Sequence, residues 1–409
     1  MESKTKILLF VGIIMLVLSA FLLGTKVTPL FTEIKISQPV LQNSNNVQAT
    51  IASTTINQKV EITATTSRPA QIKTSVVATT SVKKPIAVAP KISQPKQLAF
   101  ALLSLSNSQN VSQVGPLLSN KSIDGVAVQI GWTSMETADE VFDWTTIDTA
   151  LKSARDSGKG VTLHIFPGGP IGIAKWLKSK GVVTYSINFR GRVREEALPW
   201  DQTFLSQYSQ FLKSLSAHLS NAGYLSTVAR VSVGVPVGEM DLVACRSNTL
   251  ANLYSYDRTT YLSAWKTMID AHASAFPAIK KFVSAPVGLI CFPDRDTKFF
   301  TDIMDYAFQK YGSTFVPFAA DLTTEGSDRM KSYTSMVASS GLGYQPIWSS
   351  TDDPTNRVKG VYPDKLLQST CRAVSDGADY VEIYAVDVMN TDATIQKGIQ
   401  AVHDDSLCK

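Results

Sequence analysis

From Gln97 to the last residue, short runs of alternating apolar residues recur eight times, most of them separated by helix-length amphipathic stretches. The strand-like runs are Leu98–Leu105, Gly125–Gly131, Val161–Pro167, Val228–Val237, Phe282–Leu289, Phe315–Leu322, Gly343–Trp348 and Tyr380–Val388. Helical patterns lie at Thr145–Ser157, Phe204–Ser220, Thr259–Ala275, Lys298–Tyr311, Arg329–Ser339, Lys365–Asp376 and Asp392–His403. Strands joined through helices become parallel neighbours, because a parallel pair needs a long crossover where an antiparallel pair needs only a turn. Eight such strands over residues 97–409 favour closure into a (β/α)8 barrel of the α/β class over an open doubly wound sheet. Val182–Val193 reads as an insertion after the third strand; were it a barrel strand, Leu98–Leu105 would drop out of the count.

Strand parity then separates two faces. Val126, Val128 and Ile130, Val161, Leu163 and Ile165, Val283, Ala285 and Val287, and Val381, Ile383 and Ala385 form the faces expected to pack on helices. The opposite faces carry Gln129 and Gly131, Thr162 and His164, Ser284 and Gly288, and Glu382 and Tyr384, and the same rule points Asp321 inward. A packed barrel interior normally holds bulky branched residues, so polar groups near strand ends predict a ligand cleft.

The fourth strand adds a carboxylate. In Val231-Ser232-Val233-Gly234-Val235-Pro236-Val237-Gly238-Glu239 the valines suit a helix-covered face, and the small residues suit a confined interior. Glu239 follows the last valine, at the end of the strand where such barrels carry their chemistry; the alternative is a surface Glu after an ordinary strand.

The N-terminal part has a different character. Lys4 and Lys6 precede the uncharged apolar run Ile7–Gly24, and no charge follows until Lys26. That run is near the short end of what spans a bilayer, and the cations before it predict a cytoplasmic segment at 1–6, a transmembrane anchor at 7–24 and an exported remainder. Leu18-Ser19-Ala20 would suit a cleaved signal, but the run continues as Phe21-Leu22-Leu23, which favours an anchor. Residues 25–96 are rich in Ser, Thr, Pro and Ala, too poor in apolar bulk to offset ordering entropy, and are expected to be a disordered tether before a catalytic-type domain at 97–409. The net charge of +5 includes tail residues Lys73, Lys83, Lys84, Lys91 and Lys96 and makes no basic stripe, so nucleic acid is not an expected partner. His164, His218, His272 and His403 are scattered and no CxxC pair occurs, so neither a metal nor a cofactor is expected.

Hydrolysis of a glycosidic bond needs two carboxyl groups, one to donate a proton and one to act as nucleophile or base. Glu239 is the candidate donor, beside Pro236, Val237 and Met240, where desolvation would raise its pKa. Glu382 is the candidate partner; the alternative is a structural ion pair with a cation at the barrel floor. Asp387, Asp321, Asp352 and Asp353 are further candidates for the second carboxylate. Trp132 and Trp348 end strands and could stack sugar rings, with Gln129, His164, Asp321, Gln345 and Tyr384 as polar or aromatic cleft residues; Trp144 and Trp176 read as packing.

Three phrases carry a resemblance. Gly125–Trp132 followed by Met135-Glu136 and Val141-Phe142-Asp143-Trp144-Thr145-Thr146-Ile147-Asp148 resembles the second strand and helix of clan A glycoside hydrolases. Gly160–Gly168 with Ala174-Lys175-Trp176-Leu177 is similar to their third strand, and the Glu239 strand falls on their fourth, which in that clan bears the acid/base. The Gly-x-Pro-x-Gly-Glu wording is also similar to the β-amylase family. The resemblance implies a TIM-barrel glycosidase with a carbohydrate substrate. Two departures stand out: Gly238 occupies the place of the clan's usual Asn, and Gln345-Pro346-Ile347-Trp348 on the seventh strand has no Glu for a nucleophile. Glu382 on the eighth strand would then substitute, or the barrel would bind carbohydrate without cleaving it. A scaffold for cell-wall contact is a third class.

In an exported chain the four cysteines can oxidise. Cys245 and Cys291 fall on adjacent loops after strands four and five, and Cys371 and Cys408 near the last two helices, so these pairs are the expected bridges among three possible connectivities.

Overall fold

The computed structural model describes residues 97–105, 108–167, 173–189, 192–233, 258–283, 297–327, 330 and 341–409. Eight parallel strands close into a barrel: β1 (Leu98–Ser104), β2 (Gly125–Gly131), β5 (Gly160–Phe166), β8 (Val228–Val233), β9 (Lys280–Val283), β10 (Phe315–Leu322), β11 (Gly343–Pro346) and β12 (Tyr380–Tyr384), which returns to β1. The register closes the ring with Phe100 opposite both Gly125 and Glu382. The four remaining strands form two antiparallel ribbons outside the barrel, β3 (Glu136–Ala138) with β4 (Val141–Phe142) and β6 (Thr184–Phe189) with β7 (Arg192–Ala197). The second ribbon is the insertion expected after the third barrel strand, so Leu98 does begin the first.

The connecting helices are α1 (Thr145–Asp156), α2 (Gln202–Asn221), α3 (Arg258–Ala275), α4 (Thr297–Tyr311), α5 (Asp364–Ser375), the single turn α6 (Ala385–Val388) and α7 (Ala393–Gln400). Local chemistry sets their starts: the Asp201 carboxylate accepts from Phe204 N at the head of α2, and Asp392 accepts from Thr394 N and Ile395 N at the head of α7. On α2 the buried residues Phe204, Tyr208, Phe211, Leu215 and Leu219 recur at helical spacing and face the sheet.

The parity reading holds over most of the wall. Val126, Val128, Ile130, Val161, Leu163, Ile165, Val231, Val233, Val283, Val381 and Ile383 join the core between sheet and helices. A second, smaller core of Phe100, Leu102, Ala127, Phe282, Val316, Phe318 and Tyr380 fills the barrel. Glycines make room for its rings: a Cβ on Gly125 would lie 2.5 Å from Phe100, and one on Gly343 2.7 Å from Phe318 and 2.8 Å from Phe282. Three strand ends differ from expectation. β11 stops at Pro346, β12 stops at Tyr384 where the chain turns into α6, and a register shift between Ala319 and Leu322 interrupts β10.

The Cys371–Cys408 bridge forms, with Cα atoms 5.3 Å apart, and ties α5 to the C-terminal turn. Cys245, Cys291, the apolar run Ile7–Gly24, the stretch 25–96 and nearly all of Arg329–Ser339 lie outside the described residues. No helix among the described residues is long and apolar enough to cross a membrane.

Candidate functional site

The barrel interior changes character along its axis. At the N-terminal end, Asp379 receives Leu342 N at 3.0 Å and sits 3.4 Å from Lys280 Nζ and 3.6 Å from Arg230. The Arg230 guanidinium lies over the rings of Tyr380 (4.3 Å) and Phe282 (5.3 Å), which with Phe100 and Phe318 form an aromatic floor. The floor cations are therefore engaged by Asp379, and the ion-pair partner Glu382 finds inside the barrel is His164.

Above the floor, Glu382 projects inward from the middle of β12 and is fully buried. His164, on β5 across the barrel, places Nε2 at 2.7 Å from Glu382 Oε1, where a ring N–H donates to the carboxylate. The Tyr380 hydroxyl donates to the same oxygen at 2.8 Å and lies 2.8 Å from Thr162 Oγ1, from which it can accept. Burial, then the charge of Glu382, push the Tyr380 phenol well above its usual range, so it remains a donor. The second oxygen, Glu382 Oε2, has no hydrogen-bond partner among the described residues. A carboxylate with one oxygen held by two donors is fixed in orientation.

Toward the C-terminal mouth, Gln345 Nε2 donates at 3.0 Å to the hydroxyl of Tyr384, whose pKa burial pushes up to about 12. Gln129 stands half-buried at the same register as His164. Five sequence candidates, Gln129, His164, Gln345, Glu382 and Tyr384, thus occupy one inward column, which also includes Thr162 and Tyr380. Neither of those two stood out in the sequence as a site residue, because a Thr and a strand-opening Tyr carry no motif; only inward parity could have marked them.

Other candidates fall elsewhere. Trp132 is fully buried against Trp176, Phe204, Tyr208 and Phe211, between sheet and helices, and its Nε1 donates to Glu136 at 2.6 Å. Trp132 continues the alternation of Val126, Val128 and Ile130, so its indole falls on the outward, helix-covered face. Asp321 follows the register shift in β10 and accepts from Ser327 Oγ at 2.5 Å. Trp348 is partly exposed beyond β11, with the Arg357 guanidinium 5.0 Å from its ring.

Of the other carboxylates considered, Asp387 is spent on Ser350 N and Thr351 N, and Asp353 on Lys365, Arg357 N and Val358 N, while Asp352 is exposed. Glu239 lies outside the described residues. Among the described residues no three His, Cys, Asp or Glu side chains converge as a metal site. A groove of about 1070 Å³ opens at the opposite end of the barrel, between α2, α3 and the starts of β8 and β9; Lys213 and Lys280 are its only charged lining residues, so it offers no acid for hydrolysis.

The described fold resembles the catalytic domain of β-amylase from Paenibacillus polymyxa, with a TM-score of 0.53 and 12% sequence identity over 77% of this chain and 99% of that one. The likeness is one of fold. No family model matches the sequence, and no curated protein matches it. The shared architecture is the closed eight-stranded parallel barrel, whose C-terminal mouth is where enzymes of this fold assemble their sites.

Proposed function

We propose that this protein is a membrane-tethered, extracytoplasmic glycoside hydrolase that cleaves a glycosidic bond in a poly- or oligosaccharide with a carboxylate pair. The observation that carries the reading is Glu382, buried in the polar half of a glycosidase-like barrel with one oxygen fixed by His164 and Tyr380 and the other uncommitted. In this reading Glu239, at the end of the fourth strand, protonates the leaving glycosidic oxygen. Glu382 Oε2 either attacks the anomeric carbon or removes a proton from the attacking water. His164 and Tyr380 hold the carboxylate in place, and Gln129, Gln345 and Tyr384 bind sugar hydroxyls. The tether is supported by Lys4 and Lys6 ahead of the Ile7–Gly24 run, which also puts the barrel outside the cell and the substrate among envelope or external carbohydrates.

A second reading is a carbohydrate-binding protein on a degenerate glycosidase barrel. It is favoured by the closed surroundings of Glu382 and by the Gln345-Pro346 end of β11, which has no carboxylate. Turnover of aryl glycosides and envelope polysaccharides by the full-length protein, Glu239→Gln and Glu382→Gln decides between them. Activity lost in Glu239→Gln with folding intact supports hydrolysis. Sugar binding without turnover in the wild type supports the second reading, and activity that survives Glu239→Gln overturns the catalytic role of that residue.

A further inference from the structure

Four of the eight large apolar side chains exposed among the described residues lie on two short segments at the C-terminal mouth: Val361 (73% exposed), Tyr362 (47%), Val386 (40%) and Met389 (46%). The first pair closes the long loop after β11, and the second lies on or just after α6, which follows β12 directly. Loose loops expose apolar groups at little cost, but this one is pinned from several sides. Asp387 of α6 accepts from Ser350 N and Thr351 N at 2.8 and 2.7 Å. The Asp353–Lys365 pair, 2.9 Å apart and almost wholly buried, fixes its middle, and Asp353 also receives Arg357 N and Val358 N. Asn390 spans the two segments, donating to Thr351 Oγ1 at 3.0 Å and to the Tyr362 hydroxyl at 3.3 Å. A loop so tethered presents Tyr362 in a fixed place at little entropic cost on binding.

The chemistry of this rim selects its occupant. An exposed Tyr, a thioether and aliphatic groups offer flat apolar contact, while the Tyr362 hydroxyl and the Arg357 guanidinium over Trp348 add donors. A pyranose ring needs this combination, having an apolar face edged with hydroxyls. The rim also continues the inward column, because Tyr384 leads directly into α6 and Pro346 into the loop that bears Trp348.

We infer that the Tyr362–Met389 rim is a sugar subsite beyond the cleavage point, and that the substrate is a polysaccharide extending out of the barrel mouth. The inference rests on the glycosidase reading. The experiment compares full-length wild type, Tyr362→Ala and Tyr362→Phe on a panel of neutral glucans, xylans and N-acetylglucosamine polymers, and on aryl monoglycosides of the same sugars. Retention on the insoluble polymer is read together with KM and kcat. Loss of the ring in Tyr362→Ala is expected to weaken polymer binding about five- to tenfold, with aryl-glycoside kcat unchanged. Tyr362→Phe, which keeps the ring and drops the bond to Asn390, is expected to stay within about twofold of wild type. Wild-type turnover of small glycosides with polymer binding unmoved by Tyr362→Ala overturns the subsite and leaves the glycosidase reading standing. A wild type that neither binds nor cleaves any sugar overturns both. A change of oligomeric state in Tyr362→Ala, seen by size exclusion, assigns the rim to self-association and overturns the subsite.

Discussion

The chain buries histidine twice in two different ways. His164 sits inside the barrel, 2.7 Å from a carboxylate, in a network with Tyr380 and Thr162. His272 sits outside the barrel wall on α3, fully buried, with Nδ1 donating to Met268 O at 2.7 Å and the ammonium of Lys281 nearby. Burial, and then the charge of Lys281, push His272 down to about 4, and burial pushes Lys281 down to about 8. Among the described residues Lys281 reaches Pro277 O at 3.4 Å and the Phe315 ring at 5.5 Å. The interior groups are cross-linked by donors and a carboxylate, as a site requires; the outer pair is tolerated burial that costs stability. A buried titratable group is thus a candidate for function when its partners complete it, and a liability when they do not.

The largest effect should come from breaking the interior network. Glu382→Gln keeps the volume and removes the charge. It is expected to reduce glycoside turnover by about 10³-fold or more with an unchanged thermal transition, which assays beside calorimetry check. Retained activity would place Glu382 among structural groups and erase the contrast with His272. Truncating the floor beneath it, Phe282→Ala, is expected to cost roughly 3–5 kcal/mol by denaturant unfolding, because the cavity would open among Phe100, Phe318 and Tyr380.

The outer pair predicts smaller effects with defined pH windows. His272 has its ordinary value of 6.5 when unfolded and about 4 when folded, so the unfolded chain holds the proton more tightly. Its contribution to stability is full above pH 6.5 and is lost as pH falls toward about 4, by roughly 3 kcal/mol in all. His272→Gln, compared with wild type in unfolding measurements from pH 7 to pH 4, should flatten that slope. Replacing the unpaired cation, Lys281→Met, is expected to stabilise the protein by about 1–2 kcal/mol at pH 7, read as a raised midpoint of unfolding. A loss instead would mean that the ammonium is better satisfied than Pro277 and Phe315 suggest.

Much of this was legible from the residues. The eight-strand count, the outer insertion, the inward positions of His164, Glu382, Gln345 and Tyr384, and the Cys371–Cys408 bridge follow from period, parity and spacing. Parity accounts for Trp132 as well: it continues the outward face of Val126, Val128 and Ile130, and only its place at a strand end suggested a sugar platform. Around Asp321 alternation is no guide, because the register shift between Ala319 and Leu322 interrupts it.

The alternation of strand and helix determines by itself that the sheet is parallel, and the count of eight strands favours its closure, since a closed ring leaves no edge. Which polar groups meet inside is a matter of the tertiary structure alone. His164 and Glu382 stand 218 residues apart on strands separated by two others, and only closure and stagger of the barrel set their atoms at hydrogen-bond distance. The same holds for Asp379 with Arg230 and Lys280 at the floor: each carries a charge in the sequence, but pairing requires the ring to close.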